Sequence, residues 1–286
     1  MADLQEIDEI LFAKDTYSEA TQKQYRYLLE LWMSSVEDLQ KFDAKAFQKW
    51  IKSHAWADNT QYVAACAIRA FIKWRWGAKH PALLFSVKRK DPPPQRTLTD
   101  AEVEKLYRSF PADDFGRRDT AMLSVFMDTG LRASEICRLS LDHLHLEELY
   151  LSVIVKGGKW MDKSFSMYTA IHVDNWLAVR DYYAVDGIDN VFVGIDGKTP
   201  GEKMTRDGVR VNVRNWGTRA GLTKPISPHA FRRTCTTLGA ENGASDQLLM
   251  QQMGWKSAAM VRQYTKALRN RAFAENYSPV ARVLEM

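Results

Sequence analysis

The side chains best suited to chemistry on a phosphate fall in one stretch, residues 226–266, which reads ISPHAFRRTCTTLGAENGASDQLLMQQMGWKSAAMVRQYTK. Pro228 opens a helical pattern, and the three-residue step from His229 to Arg232 places an imidazole and a guanidinium on one helix face. Such a pair can grip a single phosphate, because the guanidinium offers a fixed fork of donors and the imidazole titrates near neutrality. A second helical run, residues 246–253, leads to Gly254 and Trp255, and a basic segment beyond it carries Tyr264. A phenol among cations is a candidate nucleophile, since nearby positive charge favours the phenolate. Taken singly, each residue has an ordinary reading. His229 suits a backbone-bonded helix start, Arg232 a surface ion pair and Trp255 a core position, and Tyr264 is one of 11 tyrosines.

The order of the four carries more than any one of them. His-x-x-Arg, then Gly-Trp, then a tyrosine nine residues after that tryptophan resembles the C-terminal signature of the tyrosine recombinase (phage integrase) family, with a Xer-like layout. Upstream, Thr129-Gly-Leu-Arg132-Ala-Ser-Glu135-Ile136 follows the apolar run 121–127 and looks like that family's first arginine box. Gly130 suits the left-handed residue that ends a helix. Arg132 then sits near the start of the next helix, where anions bind, with Glu135 three residues on to brace it. Residues 149–155 are β-branched and apolar, Lys156-Gly-Gly-Lys159 is a tight turn, and residues 160–167 can return as a partner strand. In the family a catalytic lysine rides on such a hairpin. Lys156 matches its place and Lys159 is the neighbour to be distinguished from it, although a Gly-Gly hairpin also attracts solvated lysines for no functional reason. Trp255 departs from the pattern of many members, which carry a second histidine there. An indole donates one hydrogen bond but shuttles no proton, so Trp255 reads as a phosphate-oxygen donor and packing element.

These residues need a scaffold, and 286 residues are enough for two domains. Apolar content of 45% and charged content of 26% are those of an ordinary soluble globular protein. The sequence contains no run long enough to span a bilayer, and the acidic start MADLQEIDEI lacks the layout of a signal peptide. A cytoplasmic, nucleoid-associated protein is expected. Cys66, Cys137 and Cys235 are widely separated, have no metal-ligand spacing and read as reduced core residues. The net charge is only +5, but its distribution is uneven. Residues 203–233 hold eight Lys or Arg against the single acid Asp207, and residues 256–271 add five more with no acid. Positive charge bracketing the candidate site is the footprint of a phosphate backbone.

The N-terminal third reads as helices. Thr21-x-x-Gln24 forms a capping box ahead of Tyr25, Leu28, Trp32 and Val36; Asp43 caps a second helix with Phe47, Trp50 and Ile51 inside. A third helix spans about 59–76, with Val63, Ala67, Ala70 and Trp74 as candidate core and Gly77 as its stop, and residues 81–87 make a short fourth element. Three consecutive prolines within residues 88–97 favour an extended linker. The expected organisation is therefore a helical domain over 1–87, a basic Pro-rich linker over 88–98, and a catalytic domain over 99–286. The last opens with the capping box Thr99-x-x-Glu102, placing Val103, Leu106, Tyr107 and Phe110 inside. It continues after the hairpin with a helix over 172–185, a short strand over 190–193 and a helix over 204–220 whose Val209, Val213 and Trp216 face inward.

The resemblance implies a mainly α fold with a small antiparallel β-sheet in an α+β catalytic domain, and an all-α core-binding domain that closes over duplex DNA from the opposite side, so that the two domains form a clamp. It implies site-specific recombination through a 3′-phosphotyrosyl intermediate on Tyr264. Arg132, His229, Arg232 and Trp255 would hold phosphate oxygens, Lys156 would protonate the leaving oxygen and Glu135 would support Arg132. Lys88, Arg89, Lys90, Lys159, Arg233 and Lys256 are candidate DNA contacts. The expected partners are double-stranded DNA bearing specific recombination sites, three further protomers forming a tetramer on two duplexes, and accessory proteins; no membrane, metal or cofactor is expected. The tail 272–286 has apolar Val280, Val283 and Leu284 and suits docking either on a neighbour or back in cis. A type IB topoisomerase and an inactive DNA-binding protein of the same fold are the alternative readings.

Overall fold

The computed structural model describes residues 2–13, 17–90, 96–155 and 158–265. The chain divides into two compact units, Met1–Pro93 and Pro94–Met286. The fold is mainly helical with one three-stranded antiparallel sheet, the class expected.

The first unit holds α1 (Ala2–Ala13), α2 (Glu19–Ser35), α3 (Ala44–Ser53), α4 (Asp58–Trp76) and a 3₁₀ turn over Pro81–Leu84. Its core gathers Ile7, Ile10 and Leu11 of α1 with Leu28, Leu29, Trp32, Phe47, Ile51, Ile68, Phe71 and Ile72. Two edge-to-face contacts, Trp32 with Phe42 and with Phe71, tie α2 across that core. Several details differ from expectation. The acidic start forms α1, whose three aliphatics at i, i+3 and i+4 make a narrow buried stripe. The cap of α2 is Ser18, not Thr21, because the Ser18 hydroxyl accepts the Thr21 amide and starts the helix earlier. In α4 the buried face is Ala64, Ala65, Ala67, Ile68, Phe71 and Ile72, while Val63, Ala70 and Trp74 are half-buried at its margin.

The second unit opens at α5 (Asp100–Ser109), closed at its start by the Thr99/Glu102 capping box; of its expected inner residues only Leu106 is fully buried. There follow α6 (Asp114–Thr129), the single turn α7 (Ala133–Ile136), β1 (Leu144–His145), β2 (Tyr150–Val155), β3 (Lys159–Ser164), α8 (Met167–Arg180), α9 (Arg206–Arg219), α10 (Pro228–Glu241) and α11 (Asp246–Met253). Residues 258–265 are helical. The strands run β1-β2-β3, with Leu151 opposite Lys163 and Val155 opposite Lys159. Helix α8 starts five residues earlier than its periodicity suggests. Ser166 caps it, and Asp128 at the end of α6 accepts from the Ser166 amide and hydroxyl and from the Thr169 hydroxyl. Residues 190–193 form isolated bridges to Ser140 and Lys203 in place of a strand. Val209, Val213 and Trp216 of α9 are buried as expected, and the Trp216 indole donates to the buried Asp119 carboxylate at 2.7 Å. No helix among the described residues is long and apolar enough to cross a membrane.

Candidate active site

Two helix ends and two helix starts in the second unit bring the chemistry together. Helix α6 stops at Gly130, whose φ of +59° reverses the chain. Arg132 follows as the residue that starts α7. Its backbone amide donates to Glu135 Oε2 at 2.8 Å and its Nη1 to Oε1 at 2.7 Å. The Glu135 side chain is 3% exposed and that of Arg132 39%, so a buried carboxylate holds a guanidinium that still reaches solvent.

His229 and Arg232 share one face of α10, yet their surroundings differ. His229 stands exposed on a cleft wall, while Arg232 is 1% exposed. The Arg232 Nη1 donates to the Gly130 carbonyl at 2.6 Å and Nη2 to the Met253 carbonyl. Part of its fork is thus spent on the protein itself. A guanidinium carries five N–H bonds, so three are not committed to these carbonyls.

Helix α11 ends at Gly254 in the same left-handed conformation, φ +68°, and Trp255 follows at once. Its ring is stacked on Tyr264, with centroids 4.9 Å apart and planes 12° from parallel, and the Arg232 Cζ lies 5.4 Å from the Trp255 ring centroid. The Tyr264 hydroxyl stands 3.4 Å from His229 Nε2. His229, Arg232, Trp255 and Tyr264 are therefore linked in a chain of contacts, with Arg132 and Glu135 electrostatically coupled to Arg232.

The electrostatics follow from crowding of cations. Partial desolvation, then the positive charges of Arg233, Arg232 and Arg132, push the His229 pKa down to about 4. The imidazole is accordingly neutral at pH 7 and able to accept a proton from the phenol. Burial and the Arg132 charge lower Arg232, with Glu135 opposing. Arg233 is also lowered by burial, with the Tyr264 hydroxyl opposing.

A cleft of about 510 Å³ opens beside these groups, lined by Arg132, His229 and the α9 residues Arg206, Arg210 and Arg214 among others. The three arginines recur every four residues and so share a helix face. Arg233 is half-buried and lies near Tyr264, Lys159 is exposed at the start of β3 and Lys256 is exposed just after Trp255. Lys88, Arg89 and Lys90 are exposed in the first unit, where Lys90 pairs with Asp58 at 3.0 Å. Lys156 and the tail 272–286 lie outside the described residues. Among the described residues no cluster of three or more His, Cys, Asp or Glu could hold a metal ion.

Sequence reasoning passed over Lys163, which is 1% exposed beneath Arg232 and whose pKa falls to about 8, chiefly by burial and then by the Arg232 charge. Its signal is a cation at an inward-facing strand position, opposite the buried Leu151. The α9 arginines were visible as charge but not as a cleft wall, since their i, i+4, i+8 spacing alone names no facing surface.

The model of the phage integrase family matches residues 96–271, more than half of the chain. The chain belongs to the phage integrase family. The match takes in every residue of the candidate site from Arg132 to Tyr264. This integrase-family chain is 28% identical over 186 residues to the tyrosine recombinase XerC of Vibrio atlanticus (strain LGP32), an alignment covering 65% of the chain and 59% of that relative. It is 25% identical over 250 residues to the tyrosine recombinase XerA of Pyrococcus furiosus, covering 87% of the chain and 84% of the relative. The chain thus spans less than two thirds of the XerC relative's length. In fold it is similar to the Tn1549 transposon integrase in complex with transposon right end DNA, with a TM-score of 0.75, 16% identity and coverage of 95% and 98% of the two chains. It is likewise similar to the XerH site-specific recombinase bound to a palindromic difH substrate, with a TM-score of 0.74, 17% identity and coverage of 96% and 84%.

Proposed function

We propose that this integrase-family chain is a site-specific DNA recombinase that cuts and rejoins strands through Tyr264. The observation that carries the reading is Tyr264, with its hydroxyl 3.4 Å from a neutral His229, its ring stacked on Trp255, and Arg232 and Arg233 beside it. The Tyr264 oxygen attacks the scissile phosphorus while His229 takes the phenol proton. The bond from phosphorus to the 5′-oxygen breaks, and Lys156, the residue that matches the family's catalytic lysine in sequence, supplies the proton to that oxygen. Arg132, the free N–H bonds of Arg232 and the Trp255 indole hold the non-bridging oxygens as negative charge builds. The phosphotyrosyl ester conserves the bond energy, so a second 5′-hydroxyl can reseal the strand.

The wider assignments rest on the family and on charge. The unit before the prolines is a core-binding domain, and together with the catalytic domain it forms a clamp on double-stranded DNA. Lys88, Arg89, Lys90, Lys159, Arg233 and Lys256 contact its phosphates. Four protomers act on two duplexes through a Holliday junction, with the tail 272–286 docking within or between them, and the protein is nucleoid-associated. The DNA-bound integrase and recombinase of similar fold support duplex DNA as the partner.

Covalent trapping tests the chemistry. Wild type and Tyr264→Phe are incubated in chelator with nicked fragments of the flanking genomic DNA, denatured and resolved on a gel. A DNA-linked band mapped to one sequence and confined to wild type is the expected result. A band persisting in Tyr264→Phe means another nucleophile, and no band with DNA binding retained means an inactive DNA-binding protein.

A further inference from the structure

Two buried cations meet the same pair of helix ends. Arg232 donates to the carbonyls of Gly130 and Met253, and Lys163 Nζ donates to those of Thr129, at 3.2 Å, and Gln252. These are consecutive carbonyls at the C-terminus of α6 and at the C-terminus of α11. The last carbonyls of a helix have no partner within it and carry the negative end of its dipole. Burying two unpartnered cations side by side is prohibitive. Here the two helix ends and Glu135 supply the compensating charge. The ends are also in close contact: a Cβ on Gly130 would meet the Met253 sulfur at 2.7 Å. Gln252 completes the joint, its amide nitrogen donating to the Asp128 and Ser164 carbonyls and its amide oxygen accepting from the Ser164 amide.

The chain leaves each of these ends straight into the candidate site. Arg132 comes two residues after Gly130 and Trp255 two after Met253. Shifting one helix end against the other shifts one of these side chains against the other. We infer that Lys163 is a positioning residue: with Arg232 it clamps the C-termini of α6 and α11 and thereby fixes Arg132 and Trp255 relative to Tyr264. Lys163 itself is buried behind the site, and its reach is through the two backbones. The inference rests on the recombinase reading for its catalytic consequence but not for the clamp itself.

The groups facing Lys163 are Arg232 and Cys235 from α10 and Arg132 and Glu135 around α7. Lowered to about 8, the ammonium loses its charge just above neutrality, and the clamp then keeps only neutral amine donors. This gives the role a signature that simple packing lacks.

The experiment compares wild type, Lys163→Met, which fills the space without donors, and Lys163→Gln, which keeps donors without charge. Hydrogen exchange without DNA is read first. Peptides over residues 128–134 and 251–257 are expected to exchange about tenfold faster in Lys163→Met, with residues 209–216 of α9 unchanged. Single-turnover cleavage of a nicked site is read second. Lys163→Met is expected to form adduct about 10²-fold more slowly with DNA affinity retained, and Lys163→Gln to recover part of the loss. The ratio of wild-type to Lys163→Gln rates, which cancels the titration of His229 and Tyr264, is expected to fall toward one above pH 8. Should Lys163→Met fail to fold, the Lys163→Gln exchange and rate ratio decide. Wild-type exchange in the variant, uniform loosening that includes residues 209–216, or a wild-type cleavage rate each overturns the inference. Absence of adduct in wild type itself sinks the recombinase reading, and the exchange data then judge the clamp alone.

Discussion

The indole of Trp255 lies 12° from parallel to the Tyr264 ring, 4.9 Å away, so the candidate nucleophile is braced by a flat aromatic face. An aromatic pair of this kind contributes about 0.5–1.5 kcal/mol beyond its buried area. Because Arg232 lies 5.4 Å from the same indole, Trp255 couples the tyrosine to the buried guanidinium.

Two functions of Trp255 can therefore be separated. Trp255→Phe keeps a ring for Tyr264 to stack on and removes the N–H, whereas Trp255→Ala removes both. Adduct formation at saturating DNA should fall about tenfold in the first, the loss of one transition-state hydrogen bond, and about 10²-fold or more in the second through misplacement of the nucleophile. Equal losses in the two variants would assign the whole effect to the N–H.

Glu135 should matter for stability as much as for rate. Its carboxylate is 3% exposed and faces Arg132, Arg232 and Lys163, so Glu135→Gln leaves three cations with one fewer countercharge. Arg132 is partly solvated, which tempers the loss to roughly 2 kcal/mol. Thermal unfolding should register a lower Tm for Glu135→Gln, and Lys163→Met should cost less Tm in that background than in wild type; equal costs in the two backgrounds would mean that the cations are not repelling one another.

Much of this arrangement was legible in residue order. Gly130, Arg132 and Glu135 form a local unit within six residues, so a helix stop, a restart and a brace follow from spacing alone. The same holds for Pro228, His229 and Arg232. What spacing could not give was tertiary. Arg232 looks like an open phosphate fork in sequence, but two of its donors go to carbonyls 102 and 21 residues away. Nothing in local spacing singles out Lys163; only the register sets it opposite Leu151 on the inner face. Helix α8 was misplaced because its start is fixed by Asp128, 38 residues upstream, and not by its own apolar pattern.

The depressed pKa of His229 predicts how stability responds to acid. An ordinary histidine titrates near 6.5 and this one near 4, so between those values the unfolded chain binds a proton that the folded chain does not. Stability attributable to this site is whole above pH 6.5 and is lost as pH falls toward 4. His229→Gln should flatten the decline of Tm between pH 6.5 and 4.5 while abolishing a proton acceptor for Tyr264. An unchanged slope would mean that the ring keeps an ordinary pKa at its solvent-facing edge.

The arginines of α9 make the last prediction, which concerns binding and not chemistry. Arg206, Arg210 and Arg214 line the cleft that also contains Arg132 and His229, and Tyr264 is not among its lining residues. If they contact DNA phosphates, each contact releases a counterion, and the slope of log affinity against log salt should become shallower by about 0.9 for every one replaced by alanine. Arg210 is exposed and pairs with Asp207 at 3.1 Å, so Arg210→Ala should remove one such increment with little change in Tm. Fluorescence anisotropy on a labelled duplex across a salt series measures the slope directly. A single-turnover cleavage rate at saturating DNA that stays within about threefold of wild type separates binding from catalysis. A slope unaffected by replacing all three would move the duplex away from this cleft.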